Sequence, residues 1–149
     1  AEAWKANPRR KFYLNNNKIG DRAIFALSGA IQDASELEFL DLSHNQVRDQ
    51  GAKSLALALK RNTKILQVNL SANQIQNAGA IALSNMMKTN TSLSSISLEK
   101  NELTDKGIKA CSKLTGSQTI NTDSQEPPQK YEKTPGGPSN SSCGCVVFQ

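Results

Sequence analysis

Between Leu37 and Lys64 the apolar residues keep two different beats in succession. Leu40 and Leu42 first alternate with Phe39, Asp41 and Ser43, the period of a strand with one buried face. Leu55 and Leu59 then stand four apart, as on one face of a helix. Moved by 28 residues, the segment finds itself again: Leu37, Leu40 and Leu42 become Ile65, Val68 and Leu70, then Leu93, Ile96 and Leu98. Upstream the same places hold Phe12 and Leu14, with Arg9 where the leading apolar residue is expected. A fixed period of this size is the mark of a solenoid of strand–turn–helix units.

Each unit also repeats its polar punctuation. Asn17, Asn45, Asn73 and Asn101 follow three residues after the last strand leucine. A buried turn leaves backbone N–H and C=O groups in need of partners, and one Asn amide offers both donors and an acceptor. Four at constant spacing predict a stacked asparagine ladder. Ile19, Val47, Ile75 and Leu103 then point back to the core. Asp21, Asp49, Asn77 and Asp105 follow as candidate N-caps of the helix that each precedes. Gly51, Gly79 and Gly107, with Ala23 in the first unit, let the helix approach the strand closely. Leu27, Leu55, Leu83 and Cys111, then Ile31, Leu59 and Met87, complete the helix core. Asn62 and Asn90 close their helices at places suited to the left-handed conformation.

The pattern LxLxxNxIxxxGxxxLxxxL at this spacing resembles the leucine-rich repeat of the ribonuclease-inhibitor type. Residues 37–92 fit it twice without a gap, and residues 12–114 fit it overall. The resemblance implies an α/β solenoid with parallel strands on a concave face and helices on a convex one. The repeat domain is expected over residues 1–114, with units near 12–36, 37–64, 65–92 and 93–114, about four in all. Residues 1–11 read as the remnant of a preceding unit, with Trp4 facing its core, which suggests a fragment or processed product.

From Thr115 to Gln149 the chain is rich in Ser, Thr, Gln, Pro and Gly, too polar to offset the entropy of ordering it. This stretch, 115–149, is expected to be a disordered tail. The net charge of +5 lies in the repeats, which hold 16 Lys and Arg against 10 Asp and Glu, leaving 2 against 3 for the tail. No continuous basic stripe with stacking aromatics appears, so nucleic acid is not an expected partner. Three cysteines with no framework point to a reducing, cytoplasmic setting. Cys143 and Cys145 leave lipidation of the tail as a weak route to a membrane, although a prenylation box would need Cys where Val146 stands.

The side chains that alternate with the buried leucines should face outward on the concave sheet, the usual binding surface of a solenoid. They include Tyr13 and Asn15; Phe39, Asp41 and Ser43; Gln67, Asn69 and Ser71; and Ser97 and Glu99. Exposed aromatics such as Tyr13 and Phe39 have the profile of binding hot spots. His44 is the only histidine, and no catalytic triad, phosphate loop or metal-ligand cluster accompanies it. The expected function is non-enzymatic protein recognition on the concave face, without metal or cofactor. Within the resembled family the uses are sensing in NOD-like receptors, inhibition of a bound enzyme, and activation of a small GTPase as by the Ran GTPase-activating protein. The last would call for an arginine finger, for which Arg48 at a turn is the candidate.

Overall fold

In a computed structural model, the chain is described over residues 10–113 and 117–123. Five three-residue strands, β1 (Lys11–Tyr13), β2 (Phe39–Asp41), β3 (Gln67–Asn69), β4 (Ser95–Ser97) and β5 (Thr119–Asn121), form one parallel sheet in sequence order. Four helices alternate with them: α1 (Asp21–Asp33), α2 (Asp49–Arg61), α3 (Asn77–Met87) and α4 (Asp105–Cys111). Each helix packs on the next, so the units stack in one direction. The strands pair at an offset of 28 from β1 to β4, as Lys11 with Phe39, Phe39 with Gln67 and Gln67 with Ser95.

The core lies between sheet and helices and is made by the repeated apolar positions. Leu40, Leu42, Leu55, Leu59, Ile65, Leu70, Leu83, Leu93, Ile96 and Leu98 are all buried. Cys111 occupies a leucine place as a small buried hydrophobe, and desolvation pushes its thiol up to about 11. Phe12, assigned to the core from its register with Leu40, is instead 48% exposed. It stands on the edge strand β1, and no described unit packs beyond it to cover its ring. The proposed remnant at residues 1–9, with Trp4 and the irregular Arg9, lies outside the described residues.

The array also runs further than residue 114. β5 pairs with β4 through Ser95 with Thr119 and Ser97 with Asn121, an offset of 24. Gln118 Nε2 donates to the carbonyls of Asn90 and Leu93 at 2.6 and 2.9 Å. Thr-Ile-Asn therefore belongs to the sheet, and the boundary drawn at 114 is too early. The rest of the expected tail, including Cys143 and Cys145, lies outside the described residues.

The asparagines form their ladder, and each links its own turn to the unit before. Asn73 Nδ2 donates to the carbonyls of Leu42, Leu70 and Ser71 at 2.9, 3.0 and 3.3 Å, and its Oδ1 accepts from Val47 N at 3.0 Å. Asn45 and Asn101 repeat the arrangement. Asn17, the first rung, is exposed, and among the described residues its Nδ2 donates to Asn15 O alone. The residue just before each rung turns the chain through the left-handed region: Asn16, His44, Ala72 and Lys100 have φ of 58°, 52°, 52° and 52°.

Asn62 and Asn90 make a second ladder at the helix exits. They are not left-handed caps: Asn62 has φ −77° and ψ 131°. Its Nδ2 reaches back to Ile31 O and Ala34 O at 2.8 and 3.0 Å, while Oδ1 accepts from Lys64 N and Ile65 N at 2.8 Å each. Asn90 does the same one unit later.

The expected N-caps act on a neighbouring helix. Asp21, Asp49, Asn77 and Asp105 are the first residues of their helices, and the preceding cap positions make no side-chain capping bond. Asp21 Oδ1 accepts from Arg48 N at 2.7 Å, one unit downstream. Asp49 Oδ1 accepts from Gln76 N and Gly79 N at 2.8 Å each, and Asn77 Oδ1 from Thr104 N and Gly107 N at 3.0 Å each. Each oxygen thus satisfies free amides and meets the positive end of the next helix. The constant spacing of Gly51, Gly79 and Gly107 follows from this contact. A Cβ on Gly79 would lie 2.7 Å from Asp49 Oδ1 and 2.9 Å from Ala52 Cβ. The close approach is helix to helix, not helix to strand.

Candidate functional site

Because successive side chains of a strand point to opposite faces, burying Leu40, Val68 and Ile96 turns their neighbours outward. Strand pairing arranges these neighbours in rows across the sheet. One row runs Lys11, Phe39, Gln67, Ser95 and Thr119, and the next runs Tyr13, Asp41, Asn69, Ser97 and Asn121. The structure thus brings Tyr13, Phe39, Asp41, Gln67, Asn69, Ser71, Ser97 and Glu99 onto one continuous face, with Asn15 at its exposed edge. Toward β3–β5 the face forms a shallow groove lined by Phe39, Gln67, Asn69, Ser97, Thr119 and Asn121 among others.

Ser43 departs from this arrangement. It was expected on the accessible face, yet it is buried. Its small side chain lies between the units that carry Asn15 and Ser71 at the corresponding places, which leaves little of it in contact with solvent.

Two parts of the face differ in chemistry. At the β1–β2 end, the rings of Tyr13 and Phe39 stand 5.8 Å apart between centroids and are tilted by 60°. Tyr13 is 58% exposed and Phe39 half-buried beside it, so Tyr13 supplies most of the ring surface open to a partner. Toward β3–β5 the side chains are small and polar. Asp41 Oδ1 accepts from Ser43 N at 2.9 Å, and Asn69 Oδ1 from Ser71 N and Ser71 Oγ at 3.1 and 2.7 Å. These bonds pin two side chains to the strand exits. Asn121 Nδ2 donates to Glu99 Oε1 across the last strand pair. Gln67, Ser95 and Ser97 have no side-chain hydrogen-bond partner among the described residues, so their polar groups are left to water or a ligand.

Thr119 and Asn121 were missed because the last unit is four residues short, which takes them out of the 28-residue register. The signal was the alternation in Gln-Thr-Ile-Asn, hidden by the polar composition around it. His44 is exposed on the rim. Arg48, the candidate finger, donates through Nε to Gln74 Oε1 at 2.9 Å within the strand-to-helix turns. Among the described residues no cluster of metal-ligating side chains occurs, and no helix is long and apolar enough to cross a membrane.

Comparison with known proteins agrees with this architecture. The Leucine Rich repeat family matches three times, at residues 36–56, 61–84 and 89–110. Among solved structures, Leiomodin-1 Actin-Binding Site 2 (ABS2) superposes with a TM-score of 0.67 at 17% identity, covering 80% of this chain and 72% of that one. At that identity the likeness speaks to the fold alone. No curated protein sequence matches. The chain is a leucine-rich repeat solenoid.

Proposed function

We propose that this solenoid is a non-enzymatic recognition module that binds a protein partner on its concave face. The observation that carries the reading is the face itself. It joins an aromatic pair, exposed Tyr13 and half-buried Phe39, to a polar groove whose Gln67, Ser95 and Ser97 side chains lack partners among the described residues. Aromatic anchors beside unpaired polar groups are what a binding surface needs for affinity and for orientation. The repeat family and the similarity to a solved actin-binding site support protein partnering in general. The constant offset of 28 through four strands supports a unit of the ribonuclease-inhibitor type, the finer resemblance within that family. A cytoplasmic setting is part of the same reading and rests on the odd cysteine count.

Phe39→Ala and Asp41→Ala should weaken a captured partner without lowering the melting temperature. Lys53→Ala and Lys60→Ala on the convex helix α2 should leave capture intact. A partner that is lost with the lysines and kept by the concave variants would overturn the assignment. Activation of a small GTPase is the competing use. The module should leave GTP hydrolysis by a panel of small GTPases unchanged, and a clear acceleration would replace the binding reading by that one.

A further inference from the structure

We propose that the concave face recognises a basic, extended segment, with one Arg or Lys side chain seated against Tyr13, Phe39 and Asp41 and a second reaching Glu99. The inference rests on the concave-face reading and deepens it by assigning the chemistry of the partner. The chain as a whole carries a net charge of +5, yet the charges on this face run the other way. Among the described residues of its strand rows and their exits, Asp41, Glu99 and Asp123 are acidic, against Lys11 and, at the exit beside Glu99, Lys100. A concave acidic surface on a basic protein selects for positive charge in what it binds.

The local geometry at β1–β2 suits a cation. Asp41 is the in-register partner of Tyr13 and lies two residues along the same strand from Phe39, so both rings neighbour its carboxylate. The rings are tilted and not stacked face to face, and the exposed Tyr13 ring is open beside the acid. Asp41 Oδ1 is occupied by Ser43 N, and no described residue takes Oδ2. A cation there meets ring faces and a carboxylate oxygen together, and the two attractions reinforce one another. Arginine fits better than lysine, because its planar guanidinium stacks on a ring while donating at its edge. Lys11 opposes the binding. It stands beside Tyr13 on β1, but its exposed, flexible chain can carry its ammonium away into solvent.

The second acid, Glu99, already accepts from Asn121 Nδ2 on Oε1, and no described residue takes its Oε2; its position sets a spacing. From β2 to β4 is two strand steps, about 9.6 Å at ordinary strand separation. Glu99 lies one row further along, so the two carboxylates are roughly 10–12 Å apart. An extended peptide covers that distance in about three or four residues. The floor between them holds Asn69 and Ser97, with the unpaired amide of Gln67 alongside, and such groups suit a peptide backbone crossing the strands.

The test uses an acetylated, amidated hexapeptide with two arginines three residues apart, and matched peptides with glutamates or leucines in their place. Binding to the full chain is followed by NMR, through the Tyr13 and Phe39 ring protons and the Gln67 and Asn69 side-chain amides. Expected is a saturable shift with the arginine peptide that weakens with added salt. Asp41→Asn, which keeps the acceptor for Ser43 N, and Glu99→Gln should each weaken it by roughly three- to fivefold. Equal binding of the glutamate or leucine peptide, shifts confined to the convex helices, no shift at all, or no effect of Asp41→Asn would overturn the proposal. If the arginine peptide fails while Phe39→Ala still releases a captured protein, the cationic specificity is wrong and the concave-face reading stands. If Phe39→Ala has no effect either, both fall.

Discussion

Gly79 offers a test of how the units are joined, because two ordinary rules predict opposite signs for Gly79→Ala. Glycine inside a helix costs about 1 kcal/mol relative to alanine, so propensity alone predicts stabilisation. The packing predicts the reverse. A Cβ at residue 79 would lie 2.7 Å from Asp49 Oδ1, 2.8 Å from Ile75 Cγ2 and 2.9 Å from Ala52 Cβ. The Asp49 oxygen cannot simply swing aside, since it accepts from Gln76 N and Gly79 N at 2.8 Å each. Ala52 Cβ is fixed to the backbone of α2, so the two helices must separate by several tenths of an ångström. Overpacking of this kind costs about 1–3 kcal/mol, and weakening two bonds to a carboxylate adds about 1–2 kcal/mol. Set against the propensity gain, the net loss is about 1–4 kcal/mol.

Gly29 is the internal control. It lies in α1, is exposed, and a Cβ there would meet nothing within 4 Å. Gly29→Ala should stabilise by up to about 1 kcal/mol. Urea unfolding of both variants beside the parent, with unchanged slopes, reads the difference directly. In an Asp49→Ala background Gly79→Ala should cost less, because one of the three obstacles is gone, and a double-mutant cycle measures that coupling. If both glycine variants stabilise equally, the helix-to-helix contact does not govern the position and the account of the repeated glycine is wrong.

Other consequences can be checked in the same way. Asn73→Asp replaces a donor facing three carbonyls with an acceptor and should cost about 3–5 kcal/mol in urea unfolding. Asn17→Asp, at the exposed first rung with a single local bond, should cost well under about 1 kcal/mol. Ala72→Asn relieves a left-handed backbone at φ 52° and should raise stability by up to about 1 kcal/mol, read as a higher melting temperature. The Cys111 thiol is raised by burial from 9.0 to about 11, so folding favours its protonated form. That contribution is complete below pH 9 and is lost as pH rises towards 11. The parent should therefore lose on the order of 2 kcal/mol more than Cys111→Val across that window, and parallel pH profiles would refute it.

Most of the architecture was legible in the residues because a repeat states its own period. Leu40, Val68 and Ile96 alternate with polar neighbours, and Leu55 and Leu83 recur on one helix face, so burial follows from local spacing alone. The concave rows, Tyr13 with Asp41 and Lys11 with Phe39, followed from the same arithmetic. Ser43 was legible as a member of its row but not as a buried one, since burial depends on what stands on either side.

What the sequence could not decide was which unit each polar group serves. Asp49 looks the same whether its oxygen caps its own helix or the next one, because a 28-residue period carries no label for self and neighbour. Only the stacking places Gln76 N and Gly79 N within its reach, and only then does the glycine acquire its reason. The ends obey the same limit. Phe12 follows the core pattern, yet its burial needs a unit beyond β1, and Thr119–Asn121 breaks the period yet finds hydrogen bonds waiting on β4. Periodicity is a local property and was written in the chain. Satisfaction of hydrogen bonds and exclusion of water are properties of neighbours, and those the tertiary structure alone supplied.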